Sequence, residues 1–196
     1  MSHAGTCHTV GATPTAILME EHRVIETVLD AMQQVVLDGR IDREFFAKAI
    51  DFFRNFADGC HHAKEEDELF PLLESAGLPR EGGPIGCMLH EHEEGRALVR
   101  LIEANVDAAA RGEAAGVAAL SGAAQRYIVL LRQHIQKEDN VLFRLTDQML
   151  GREEQELLMG AFERAERTNG NTGKHERYLA MANELRRWAE SSVEVL

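Results

Sequence analysis

Residues 61–70 read "HHAKEEDELF", and a near copy, "HIQKEDNVLF", stands at 134–143. The shift from 61 to 134 sets His61 on His134, Glu65 on Glu138, Leu69 on Leu142 and Phe70 on Phe143, while His62 falls on Ile135. A second echo links "LMEEH", ending at His22, with "MLHEH", ending at His92. The chain therefore reads as a helix pair used twice. Each pair supplies one lone histidine and one H-x-x-x-E.

The register of these segments decides which side chains face inward. Phe53, Ala57, His61, Glu65, Leu69 and Leu72 recur with helical period, so His61 and Glu65 point where the core residues point. His62 and Glu66 are about 100° further round, in line with Asn55 and Asp58. Leu131, His134, Glu138, Leu142 and Leu145 form the matching stripe in the second copy. The inward pair is His61 with Glu65; a helix phase one residue off would replace it by His62 with Glu66. Heights agree as well. His22 lies about 17 residues before its helix ends and His61 about 20 after that turn, nearly one level at ~1.5 Å per residue. His92 and His134 stand about 19 residues before and about 22 after the connection near Gly112, again close to one level.

Around these segments the chain has no alternating strand pattern. Thr13 and Pro14 suit a helix start, Asp42 a second, and Pro84 a third that runs to about Gly112. A fourth helix is clear through "RYIVLLRQHIQKEDNVLFRLTDQML" (126–150), although "RGEAAGVAALSGAAQ" (111–125) before it mixes helix formers with glycines. Two further amphipathic helices flank "TNGNTG" (168–173). The expected fold is all-α: an antiparallel up-down-up-down four-helix bundle over 14–150. Two additional C-terminal helices over 151–196 pack on it or at a homo-oligomer interface, and residues 1–13 form a disordered leader. With 196 residues, 44% of them hydrophobic, the chain is long enough for one well-buried domain. Its net charge of −12 disfavours nucleic acid and acidic membrane surfaces as partners. No apolar run reads as a membrane span and no secretory signal opens the chain. Cys7, Cys60 and Cys87 lack paired spacing, which points to a reducing cytoplasm.

Four imidazoles and two carboxylates at one level of a core cannot be left unpaired. Two cations bridged by the carboxylates answer this, with His22, His61, Glu65, His92, His134 and Glu138 as ligands. Nitrogen and oxygen donors without thiolate suit iron, and manganese or zinc less well. His62, Glu66 and His90 are candidates for places beside the ligands. Asp67, Glu68 and Asp139 read as a solvated rim, with Glu66 its other possible member, and Glu21 and Glu91 read as surface. Tyr127, His175 and Tyr178 read as packing residues, and Cys60 as a structural thiol.

The four segments "EEH" (20–22), "HHAKEEDELFP" (61–71), "HEHEEGR" (90–96) and "HIQKEDNVLF" (134–143) resemble, in order, those of the hemerythrin-like, or HHE cation-binding, proteins. The resemblance spans about residues 14–150. It implies a four-helix bundle with a non-haem di-iron centre in which Glu65 and Glu138 are the bridges. Oxygen-carrying members have five histidines, two of them four residues apart on the third helix; here Arg96 follows His92 at that spacing. The ligand pattern is closest to the di-iron proteins of iron–sulfur cluster repair, which also carry a cysteine-bearing N-terminal domain where this sequence has Cys7. Four histidines, two bridging glutamates and an oxo or hydroxo bridge leave roughly one open position on each of two octahedral irons, against roughly one in total for five histidines. The expected function is binding of, or reaction with, a small oxidant (O2, peroxide or nitric oxide) under oxidative or nitrosative stress. A sensor that signals to a partner without turnover is the competing class, and iron storage or delivery a third.

Overall fold

Helix α1 (Pro14–Leu37) starts where the sequence places its cap. The Thr13 hydroxyl accepts the Ala16 N–H at 3.2 Å, and Pro14 takes a position whose N–H has no helical partner. This computed structural model describes residues 13–168 and 173–191; the expected leader, with Cys7 and His8, lies outside them apart from Thr13. Asp42 caps α2 through the Phe45 N–H at 2.9 Å. α2 occupies residues 43–75 without a break, and its winding changes along the way. An α-helical Arg43–Phe52 gives way to π-helical Phe53–His62, a second π-helical stretch follows at Glu65–Leu69, and Phe70–Ser75 is α-helical again. α3 (Pro84–Ala110) opens on a proline. α4 (Ala114–Met149) carries one π-helical turn, Glu138–Leu142. α5 (Arg152–Thr168) and α6 (Lys174–Glu190) follow. Among the described residues there is no strand.

α1 packs on α2 and α4, and α3 packs on the same two, so four helices close a ring. The apolar interior falls into two clusters. The larger holds Val28, Met32, Phe45, Phe52, Ile102 and Leu120 among others; the smaller holds Leu18, Phe70, Leu73, Ile85, Leu142 and Phe143. Between them lies a polar layer. The last two helices each serve one cluster: Tyr178, Ala182, Leu185 and Ala189 of α6 enter the larger, Leu158 and Phe162 of α5 the smaller. Both lie against α1.

Two expectations change here. The glycine-bearing stretch before residue 126 is helix, not a loose connection, because the turn from α3 is compact. Gly112 adopts φ +75°, and the Glu113 N–H closes on the Ala108 carbonyl at 3.1 Å. α4 also contains an 18-residue window of mean hydropathy 1.3, enough by length and composition to cross a membrane. It is nevertheless a bundle helix, with the buried His134 and Glu138 on its inner face.

Gly116 lets α4 approach α3: a Cβ there would meet the Ala108 Cβ at 2.7 Å and the Ala109 backbone nitrogen at 2.8 Å. Gly116→Ala should therefore lower the melting temperature, since forced overpacking costs about 1–3 kcal/mol. Gly122→Ala has nothing within 4 Å of the new methyl and should stabilise by about 0.5–1 kcal/mol. Thermal denaturation followed by circular dichroism checks both signs. An unchanged Gly116→Ala would contradict the close approach.

Candidate metal centre

Seven chemistry-bearing side chains are buried in the layer between the two apolar clusters: His22 from α1, His61, His62 and Glu65 from α2, His92 from α3, and His134 and Glu138 from α4. Their inward atoms form two groups. His22, His61, Glu65 and Glu138 converge on one point, and His62, Glu65, His92 and His134 on another, with the atoms of each group within 4.8 Å of one another. The six residues expected at one level are thus together. His62, read from the sequence as outward, is only 5% exposed and belongs to the second group. The physical reason is the winding. A phase of 100° per residue holds for an α-helix, whereas Phe53–His62 is π-helical, and its wider turn carries both His61 and His62 onto the inner face.

Each imidazole is held from behind by a carboxylate. The Nδ1–H groups of His22, His61, His62, His92 and His134 are directed at Asp139 (2.7 Å), Glu21 (3.0 Å), Asp58 (3.4 Å), Glu66 (2.7 Å) and Glu91 (3.0 Å). A cation holds each carboxylate in turn. Arg23 pairs with Asp139 and Lys137 with Glu91, Lys64 reaches Glu21 at 2.5 Å, and Arg96 binds both Asp58 and Glu66. Carboxylates on Nδ1 fix the tautomer and turn the Nε2 lone pairs into the layer. Glu21, Glu91 and Asp139 are therefore not free surface or rim, and Glu66 lies beside the site as one of its expected alternatives. Asp58, four residues before His62, had a sequence signal in that spacing; the other contacts cross between helices and leave none. His90 is exposed and outside the layer. Cys60 is half-buried, and burial pushes its thiol up to about 11, away from thiolate chemistry.

The inward atoms fit cations. His61 Nε2, His62 Nε2, both Glu65 oxygens and Glu138 Oε1 have no hydrogen-bond partner among the described residues, although all are buried. His92 Nε2 and His134 Nε2 face each other at 3.1 Å, an arrangement of lone pairs that needs a proton or a cation between them. Glu65 lies 3.6 Å from His61 and 3.5 Å from His92; Glu138 lies 3.1 Å from His22 and 3.2 Å from His134. Each carboxylate thus spans both groups.

Protons take up part of this charge in the metal-free protein. Burial pushes His61 down to about 4, and it also lowers His62 and His92. For His134 burial acts the same way, but the Glu138 charge and hydrogen bonds to Glu138 and Glu91 outweigh it and raise the group to about 9. His22 is likewise raised against burial, by Asp139 and Glu138. Glu65 is held well above the usual carboxylate range by burial and by the Glu138 charge.

With this geometry in view, a family model for the hemerythrin HHE cation-binding domain matches residues 13–146. The chain belongs to that family. Similar proteins include an iron–sulfur cluster repair protein, YtfE, of Edwardsiella ictaluri, 35% identical over 99 residues that make up 50% of this chain and 44% of that one. Uncharacterised proteins of Mycobacterium bovis and Mycobacterium tuberculosis are each 27% identical over 139 residues, 68% of this chain and 53% of theirs. The chain spans about half the length of these curated relatives. No solved structure matches it significantly. In this HHE domain the position four residues after His92 is Arg96, whose guanidinium turns to Asp58, Glu66 and Glu93. His62, from α2, provides a fifth imidazole.

The raised His134 sets an opposing pH dependence for metal-free and metal-loaded protein. A group raised from 6.5 to about 9 stabilises fully below 6.5 and loses that contribution as pH rises through 9. Metal binding gains over the same range, because imidazoles must shed protons to ligate. The difference in melting temperature between loaded and chelator-treated protein should therefore widen from pH 6.5 to pH 9. A gap that narrows would show that His134 does not carry that proton.

Proposed function

We propose that this chain holds two iron ions with an oxo or hydroxo group between them and binds or reacts with a small oxidant: O2, peroxide or nitric oxide. The observation that carries this reading is the placement of Glu65 and Glu138, each addressing imidazoles of both groups within 3.1–3.6 Å. Two carboxylates so placed suit two neighbouring cations. Donors of nitrogen and oxygen without thiolate suit iron, and manganese or zinc less well. Bound iron would supply Lewis acidity and one-electron redox chemistry.

The chain's own residues set where a small ligand fits. His22 and His61 serve one ion and His62, His92 and His134 the other, with both glutamates shared. Five imidazoles change the count made for four: roughly one open position remains in all, on the ion with two histidines. Behind the donors, Asp139, Glu21, Asp58, Glu66 and Glu91 hold the rings in orientation, and the two apolar clusters keep bulk water from the layer. The name of the Edwardsiella relative, an iron–sulfur cluster repair protein, supports a role in repair; that the damage is oxidative or nitrosative and the place the cytoplasm is part of this proposal.

A sensor reading has its own support. Glu21 accepts from His61 and from Lys64, Lys64 also reaches Glu166 on α5 at 2.9 Å, and His175 on α6 lies 4.0 Å from Glu21. A shift of His61 therefore has a path to both C-terminal helices, where a partner could read it. Iron storage fits less well, since the polar layer is closed between apolar clusters.

Elemental analysis of protein made with iron available should give close to two irons per chain, and Glu65→Ala or Glu138→Ala should each lose most of it. A single zinc in protein from iron-replete cells would reject the reading. Stopped-flow oxidation with O2 or peroxide then separates the classes. Many events per site indicate an enzyme, and one event per site indicates a sensor.

A further inference from the structure

A cavity of about 190 Å³ lies between α2, α3 and α4, and its inner end is formed by two of the five imidazoles, His62 and His92. We propose, on the basis of the metal centre above, that His62 is an exchangeable donor: its ring closes this cavity off from the metals and withdraws into it to admit a small anion of two or three heavy atoms.

Four observations single out His62. Its bond to the carboxylate behind it is the longest of the five, 3.4 Å against 2.7–3.0 Å for the others. That carboxylate, Asp58, is engaged more closely by Arg96, at 2.7 Å, so His62 holds the weaker share of it. The His62 ring stacks on His92 with centroids 3.8 Å apart and planes 14° from parallel, a contact that motion within the ring plane would preserve. The space beside it is real: Phe53, Val99, Tyr127 and Leu131 give the cavity apolar walls suited to an imidazole face. His22, His61 and His134 line no part of this space, and each is tied by a shorter bond to its own carboxylate.

The mouth of the cavity decides the charge of its visitor. Arg54, Arg96 and Arg100 line it together with Asp58 and Glu91; Arg54 is paired with Glu103 and Arg96 with Asp58, Glu66 and Glu93, so Arg100 is the guanidinium left to meet an anion on a chain whose net charge is −12. Long-range repulsion works against anions everywhere on this chain, and Arg100 offsets it locally at this mouth. With iron bound, withdrawal of His62 would leave His92 and His134 as the imidazoles of that group and open a place for an anion, and its return would restore three imidazoles. Arg96, by holding Asp58, positions the carboxylate toward which His62 turns.

The test uses the oxidised, iron-loaded full chain with azide as probe, followed by absorption. His62→Ala should keep close to two irons per chain. Beside the position left open on the ion of His22 and His61, His62→Ala should offer azide a second one; if the withdrawn ring is populated on the order of 10% in the parent protein, binding at this second position should be about tenfold tighter than in the parent, and added imidazole should compete that azide off and restore the parent spectrum. Val99→Phe, which fills the cavity and leaves every donor in place, should slow azide association with iron content unchanged. Loss of one iron in His62→Ala would make His62 a fixed ligand and overturn the proposal. So would azide stoichiometry and affinity both equal to those of the parent, or an association rate untouched by Val99→Phe. Parent protein that holds no iron would instead reject the metal-centre reading on which the proposal rests.

Discussion

Two carboxylates without exposure govern this molecule. Glu65 and Glu138 lie at the centre of the bundle, and three of their four oxygens have no hydrogen-bond partner among the described residues. With the two unpartnered imidazole nitrogens beside them, five buried polar atoms lack protein partners. At about 1–3 kcal/mol for each, leaving them so would cost as much as an ordinary domain's whole stability. A proton on His134, held up to about 9, relieves part of the imbalance, and cations would relieve the rest. The surrounding structure follows from holding these groups. Every imidazole is backed by a carboxylate and every such carboxylate by an arginine or lysine, so the layer is built outward in three ranks of alternating charge. An ordinary core would gain nothing from such ranks; they make sense only around sites that must keep their lone pairs pointed inward.

The winding of the helices serves the same end. π-helical turns occur in the described residues at Phe53–His62, Glu65–Leu69 and Glu138–Leu142, and each of them contains or ends on a residue of the centre. A wider turn is costly in backbone geometry and is tolerated where it re-aims side chains. Here it brings two successive histidines, His61 and His62, into one interior. A regular α-helix would have sent one of them toward Asn55, which is exposed.

That is also where the sequence stopped being legible. Helix number, the duplicated H-x-x-x-E and the inward face of His61, Glu65, His134 and Glu138 could be read because they depend on period alone. His62 could not, since its burial depends on a change of period that no residue type announces. Glu21, Glu91 and Asp139 were illegible for another reason. A glutamate next to a histidine in sequence points elsewhere on its own helix, and its use comes from a ring on a different one: Glu21 serves His61, and Glu91 serves His134. Contacts that cross a bundle are set by helix spacing and height, which composition does not reveal. The turn near Gly112 was legible, but residues 114–125 were not clear as helix because their glycines weigh against it; at Gly116 the lack of a side chain is what allows the two helices to meet.

The C-terminal helices lie beyond the part of the chain that the family model covers, yet they are joined to the centre through Glu21. This one carboxylate, depressed to about 2 chiefly by Lys64 and His61 against a large burial penalty, takes the Nδ1–H of a metal-facing ring on one side and a lysine shared with α5 on the other. α5 and α6 also fill the two apolar clusters on either side of the polar layer. Docking of α5 and orientation of His61 are therefore linked by the two bonds of Lys64, and α6 meets the same carboxylate through His175, 4.0 Å from Glu21. Coupling of this kind needs no long pathway, because a single buried ion pair stands between the inward-facing imidazole and the outer helices.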